Sequence, residues 1–205
     1  MKNIQTKPIK NRISNEQRSQ QTSVKLISIA RKLFTTRGYT DTSLEDIVRE
    51  TGMTRGALYH HFEGKKGIFF AVFENAVSEI ANRIIQVDKN NRSIWEKFIS
   101  CTYEFFEGCL DSDLQRIVLI DGPAVLGWDA WRRIDEAKTL DILRSHLKEL
   151  LDREIIKPLP LEALTHIISG AVNESILWIA GSEDPKKAFD ETWSTLNVFF
   201  ELLRK

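Results

Sequence analysis

The stretch TSLEDIVRETGMTRGALYHHF, residues 42–62, decides the fold, because it reads as two short helices set at a fixed angle by a glycine turn. Ser43 is placed to cap the first helix, with Asp46 three residues later supplying a carboxylate where the free N–H groups and the dipole favour one. That helix starts at Leu44. Leu44, Ile47 and Val48 share one face, while Glu45, Asp46, Arg49 and Glu50 take the other. Gly52 can adopt the left-handed conformation that ends a helix, and Thr54 can cap a new one from Arg55. The pair forms a helix-turn-helix.

In the second helix Leu58 and Phe62, four apart, point to the core and turn Arg55, Gly56, Tyr59 and His60 to solvent. Such a face suits a DNA groove better than a hydrophobic interior. Arg55 can bond both acceptors of a guanine, and Gly56 and Ala57 leave room for the groove floor or a thymine methyl. Tyr59 and His61 can donate to phosphates, and Lys65 puts a cation at the start of the next helix. On spacing alone, a helical hairpin with a polar face is the competing reading.

From Thr42 to Lys66, with TRGALYHHFEGKK at its centre, the chain resembles the DNA-binding signature of TetR-family transcriptional regulators; the match extends from the helix holding Ala30, Phe34 and Gly38 to Phe73. More weakly, RIVLIDGPAVLGWDAWRRID, Arg116 to Asp135, resembles the ligand-binding half of one branch of that family. The resemblance implies an all-α homodimer that represses transcription until a small molecule binds its C-terminal domain. It also implies base-facing positions at Arg55, Gly56, Tyr59 and His60, and phosphate-facing positions at Thr42, Ser43, Thr54, Tyr59, His61 and Lys65. The operator sequence does not carry over.

The 205 residues hold 29 basic and 29 acidic side chains, yet residues 1–66 carry 13 Lys plus Arg against 6 Asp plus Glu. A basic head on an acidic body presents one DNA-seeking face. Residues 1–18, MKNIQTKPIKNRISNEQR, read as a flexible basic arm that reaches phosphates or the minor groove, or as a solvated tail. Without a signal-type apolar stretch or a membrane-length run, the expected location is the cytoplasm, away from membranes. Cys101 and Cys109, eight apart on one helix, lie beyond disulfide reach and read as buried apolar side chains; a redox-sensing role, with Arg92 or Lys97 to lower a thiol pKa, is the alternative. The four histidines, at 60, 61, 146 and 166, lack metal spacing. No cofactor or metal is expected. Without a nucleophile–base pair or phosphate loop, an enzyme is disfavoured.

Beyond the arm, residues 19–66 are expected to form a three-helix DNA-binding domain, and 67–205 a larger helical domain for effector binding and dimerisation, about nine helices in all. Val24, Ile27, Ala30, Leu33 and Phe34 stripe the first helix, which stops at Gly38. A long helix from about Lys66 to Val87 links the domains. In the body, Asp121, Gly122 and Pro123 are expected to break the chain before Trp128. Tyr103, Phe106, Asp121, Trp128, Trp131, His146 and Asn173 are the expected effector pocket, an aromatic enclosure with a few polar groups. Leu164, Ile168, Ala171, Ser175 and Trp178, with Trp193, Leu196, Phe200 and Leu203 after Pro185, are expected to form the dimer seam, two helices from each subunit. The expected partners are a near-palindromic duplex, a second copy and a small molecule; a protein partner in place of that molecule, or no signal at all, is the alternative.

Overall fold

The structure is a computed structural model, and it describes residues 15–89 and 93–205. The basic arm therefore lies outside the described residues as far as position 14, as does Arg92. Helix α1 runs Asn15–Asp41, so the helix begins before Ser19, inside the stretch read as an arm. Gly38 interrupts it with φ 86 and ψ 165, a conformation that a Cβ would strain. The buried stripe of α1 is Leu26, Ala30, Leu33 and Phe34, whereas Val24 is 63% exposed and Ile27 half-buried. The stripe thus sits slightly round the helix from the one expected.

Helices α2 (Leu44–Thr51) and α3 (Arg55–Phe62) complete the head, and α4 (Lys65–Asp88) leads out of it. With 24 residues, α4 is about 36 Å long at 1.5 Å per residue. Its apolar positions Ile68, Phe69, Val72, Phe73, Ala76, Ile80 and Ile84 are all buried. The first of these meet α1 and α3, and the later ones meet the body, so both regions share one continuous core.

The body comprises α5 (Ile94–Gly108), α6 (Ser112–Gln115), a π-helix (Arg116–Asp121), α7 (Gly122–Leu126), α8 (Trp128–Asp135), a second π-helix (Glu136–Leu140), α9 (Asp141–Asp152), α10 (Leu161–Ala180) and α11 (Pro185–Leu203). Eleven α-helices and two π-segments among the described residues exceed the nine helices read from the sequence. The expected break at Asp121–Pro123 is absent. Gly122 is helical, and Pro123 falls in the opening turn of α7, where a missing N–H costs little. The chain breaks instead at Gly127, with φ 86 and ψ 154. Extended pairing among the described residues is confined to one bridge between Ile156 and Arg204.

Gly67 fixes the angle between α3 and α4. A Cβ there would overlap the Phe62 carbonyl, coming within 2.7 Å of its carbon, and backbone cannot step aside as a side-chain tip can. A Cβ at Gly56, by contrast, would meet only the Thr54 hydroxyl, at an ordinary contact distance of 4.0 Å. Gly67→Ala should therefore destabilise the protein by about 1–3 kcal/mol in urea unfolding, the usual cost of overpacking, whereas Gly56→Ala should be neutral or stabilising by up to about 1 kcal/mol.

Candidate nucleic-acid interface

Two caps orient the reading helix. Ser43 Oγ accepts from the Asp46 N–H at 3.0 Å, and Asp46 accepts from the Ser43 N–H at 3.0 Å, a reciprocal capping box that starts α2. The Ser43 hydroxyl also donates to Asp46 at 2.6 Å. These bonds, first the hydroxyl, then the backbone N–H and the Arg49 guanidinium, hold the Asp46 carboxyl well below the usual carboxylate range. Gly52 ends α2 in the left-handed region, and Thr54 caps α3 by accepting from the Ala57 N–H at 3.2 Å.

Arg55, Gly56, Tyr59 and His60 all lie exposed on α3, opposite the fully buried Leu58. Arg55 Nη1 lies 3.1 Å from Glu45 on α2, and its guanidinium stands 5.6 Å from the Tyr59 ring centre. Hydrogen bonding to Tyr59 leads the causes that raise its pKa, so it stays a cation. His60 stacks on His61 at 5.5 Å, and His61 Nδ1 shares a 3.0 Å hydrogen bond with Ser23 Oγ of α1.

Among the expected phosphate-facing residues, Ser43, Thr54 and Tyr59 are exposed, and His61 and Lys65 half-buried. Thr42 needs correction. It is fully buried, and its hydroxyl donates to the carbonyls of Gly38 at 2.8 Å and Leu33 at 3.2 Å, so it secures the end of α1 and offers nothing to a phosphate. Lys65 Nζ donates to the Thr40 carbonyl at 3.3 Å and stands 4.2 Å from the Tyr39 ring centre, and burial lowers its pKa. The ring of Tyr39 packs in turn on Phe34 and Phe69, at 5.7 and 5.1 Å. This ammonium thus has a structural task that the sequence did not disclose.

In the body, a cavity of about 50 Å³ is lined by Ile84 of α4, Phe105, Leu143, Ile168 and Val172, with Thr102, Asp135, Thr139, His146 and Ser169 as polar groups. Burial raises the Asp135 pKa, against the opposing pull of Thr139 and Arg132. Of the expected pocket, His146 alone lines this space. Tyr103 and Phe106 pack on Phe189 and Trp193 of α11, at 4.9–5.9 Å. Asp121 accepts from the Tyr39 N–H at 3.2 Å, and Trp131 Nε1 donates to the Val118 carbonyl at 2.8 Å. Trp128 is 62% exposed. Asn173 lies outside the lining, its Oδ1 buried without a hydrogen-bond partner. Tyr103, Phe106 and Trp131 thus close the packing between helices, while the polar groups at the cavity are Thr102, Asp135, Thr139, His146 and Ser169.

A larger apolar groove of about 730 Å³ runs between α10 and α11, with eight of the nine expected seam residues along it. Trp193 is the exception, turned inward to Tyr103. Leu164, Ile168, Leu196 and Phe200 are already buried within the subunit, so the exposed apolar face includes residues the stripe omitted: Ile167, Val198, Phe199 and Leu202, beside Trp178. Both helices carry apolar residues on two sides, which a single three-and-four stripe cannot separate. Cys101 and Cys109 are buried and form no disulfide with one another, and burial pushes the Cys109 thiol far up. Among the described residues, no cluster of His, Cys, Asp or Glu could hold a metal, and no helix is long and apolar enough to cross a membrane.

Residues 26–72 match the family described as bacterial regulatory proteins, tetR family, and residues 95–203 match the tetracyclin repressor-like C-terminal domain. A TetR-family transcriptional regulator from Pectobacterium atrosepticum superposes with a TM-score of 0.77 at 31% identity, covering 93% of this chain and 98% of its own. The negative transcriptional regulator IcaR of the biofilm operon in Staphylococcus aureus is 27% identical over 192 residues, covering 86% of this chain and 98% of IcaR. RolR in complex with resorcinol shares the fold, with a TM-score of 0.65 at 17% identity, covering 88% of this chain and 90% of that one.

The depressed Asp46 pKa gives the α2 cap a pH signature. A carboxyl bound more tightly as the anion in the folded state stabilises the fold above its ordinary value of 3.8, and that contribution disappears as pH falls toward the folded value. Ser43→Ala should cost about 1 kcal/mol at pH 7. Urea unfolding at pH 7 and pH 3 should show the gap between wild type and Asp46→Asn narrowing at the lower pH.

Proposed function

The chain belongs to the TetR family of bacterial regulatory proteins, which are DNA-binding transcriptional regulators, and we propose that it acts as a repressor released from its operator by a small molecule. The reading rests chiefly on one observation: α3 buries Leu58 and leaves Arg55, Gly56, Tyr59 and His60 exposed together. Arg55 would exchange the Glu45 carboxylate for guanine acceptors, with Gly56 admitting the groove floor and Tyr59 and His60 meeting neighbouring bases. Ser43, Thr54, Tyr59 and His61 would meet phosphates. Lys65 would add its charge there while still holding Thr40.

Two reading heads imply a homodimer. The exposed Trp178, Phe199 and Leu202, together with the groove between α10 and α11, support a four-helix seam, since an apolar face of this kind is otherwise unusual on a lone subunit. Paired heads would then meet half-sites about 34–36 Å apart, or a multiple of that spacing, on a near-palindromic duplex.

The effector would enter the cavity against α4. Its wall of Ile84, Phe105, Leu143 and Val172, with Asp135, Thr139 and His146 as polar groups, fits a compact molecule with an apolar body and one or two hydrogen-bonding groups. RolR, of the same fold, is a neighbour seen with a compact ligand, resorcinol. A volume of about 50 Å³ holds little more than a water or two. Occupancy would therefore displace helices, and a ligand that favours the displaced state shifts the population.

Selection from random duplex DNA, with and without a panel of compact small molecules, tests the reading. The expected result is a near-palindrome that at least one compound displaces. Arg55→Ala should cost about 1–3 kcal/mol and relax preference at one base pair; equal loss across all operator variants would refute the base contact. Phe199→Glu combined with Trp178→Glu should yield a folded monomer by sedimentation, with operator affinity reduced at least tenfold.

A further inference from the structure

Besides the packing of α4, the body grips the DNA head through the first π-helix, Arg116–Asp121. Arg116 Nη1 donates to the Thr35 carbonyl of α1 at 3.2 Å, and its guanidinium fills the space beside Gly38 that a Cβ would need. Asp121 Oδ2 accepts the Tyr39 N–H at 3.2 Å, just past the kink, and lies 3.8 Å from Arg116 Nε. Both side chains thus hold the interrupted end of α1, where the helix leaves backbone groups for outside partners.

What they hold is close to the reading helix. The Tyr39 ring packs on Phe69 of α4 and lies under Lys65, whose ammonium bonds the Thr40 carbonyl. Two residues beyond Lys65, Gly67 abuts the last residue of α3. A shift of the α1 end is therefore passed to α3 through the first turn of α4.

The other end of the grip reaches the cavity. Trp131 Nε1 of α8 bonds the Val118 carbonyl inside the first π-helix at 2.8 Å. Helix α8 ends at Asp135 and runs into the second π-helix, and Asp135, Thr139 and Leu140 are cavity wall. Both π-segments lie on this path, and single π-turns of this kind recur at functional sites. We propose that Arg116 and Asp121 are positioning residues for DNA reading, forming a latch on α1 that movement of the cavity wall opens through Trp131. The inference rests on the repressor reading above.

The test uses the full-length protein and the operator selected with wild type. Asp121→Ala and Arg116→Met should each weaken operator binding about tenfold, the scale of a lost charge-assisted hydrogen bond. Affinity for a random duplex should stay at the wild-type value, and urea unfolding should stay cooperative, its midpoint lowered by no more than one lost hydrogen bond costs. The double variant should lose no more than either single one, since one latch opens only once. Asp121→Asn, whose amide oxygen can still accept from Tyr39, should recover part of the loss. Amide exchange at Tyr39 should quicken at least tenfold in Asp121→Ala. Trp131→Phe, which deletes the bond to Val118, should weaken operator binding in the same direction. Wild-type operator affinity in Asp121→Ala, a parallel fall in random-duplex binding, or unchanged Tyr39 exchange would overturn the latch; wild-type affinity in Trp131→Phe would overturn its link to the cavity. Failure of the wild type to select any operator would count against the repressor reading itself.

Discussion

A single helix running through one core from the head into the body constrains everything else in this molecule. The first turns of α4 carry Ile68, Phe69, Val72 and Phe73 into the packing beneath α1 and α3, and its later turns carry Ile80 into the body and Ile84 to the cavity wall. Interiors packed at crystal-like density transmit displacement rather than absorb it. Neither region can therefore rearrange its contacts with α4 independently. The Gly67 contact with Phe62 tightens this further, because two backbones in direct contact leave no side chain to yield between them.

The helix-turn-helix was legible because every signal there is local. Ser43, Asp46, Gly52 and Thr54 act within a few residues of themselves, and the structure shows the caps and turn they suggest. Thr42 was misread for the complementary reason. A threonine just before a helix looks like a surface donor, and only the fold reveals that the carbonyls of Leu33 and Gly38 enclose its hydroxyl.

The body was harder to read. Helix periodicity identifies an apolar face without saying what covers it, so Leu196 and Phe200 could not be told from Phe199 and Leu202. Aromatic content likewise said nothing about vacancy: Phe106 fills space between helices, whereas the cavity is bounded by smaller residues such as Thr102, Thr139 and Ser169. The π-segments had no visible signature either, and Asp121, Gly122 and Pro123 suggested an end where the chain continues in a widened helical register. A register shift in the ladder is a tertiary accommodation, here made where Gly122 meets Phe73 and Trp131.

The ion pair between Arg55 and Glu45 bears on how affinity would depend on salt. A cation that already carries its own carboxylate gives up that internal partner when it meets DNA, and the freed carboxylate then gathers ions from solution. Part of the entropy from ions leaving the duplex is thereby returned at the protein surface. The head would consequently show a shallower ionic-strength dependence than its count of lysines and arginines suggests, and discrimination among sequences would weigh correspondingly more in its binding energy.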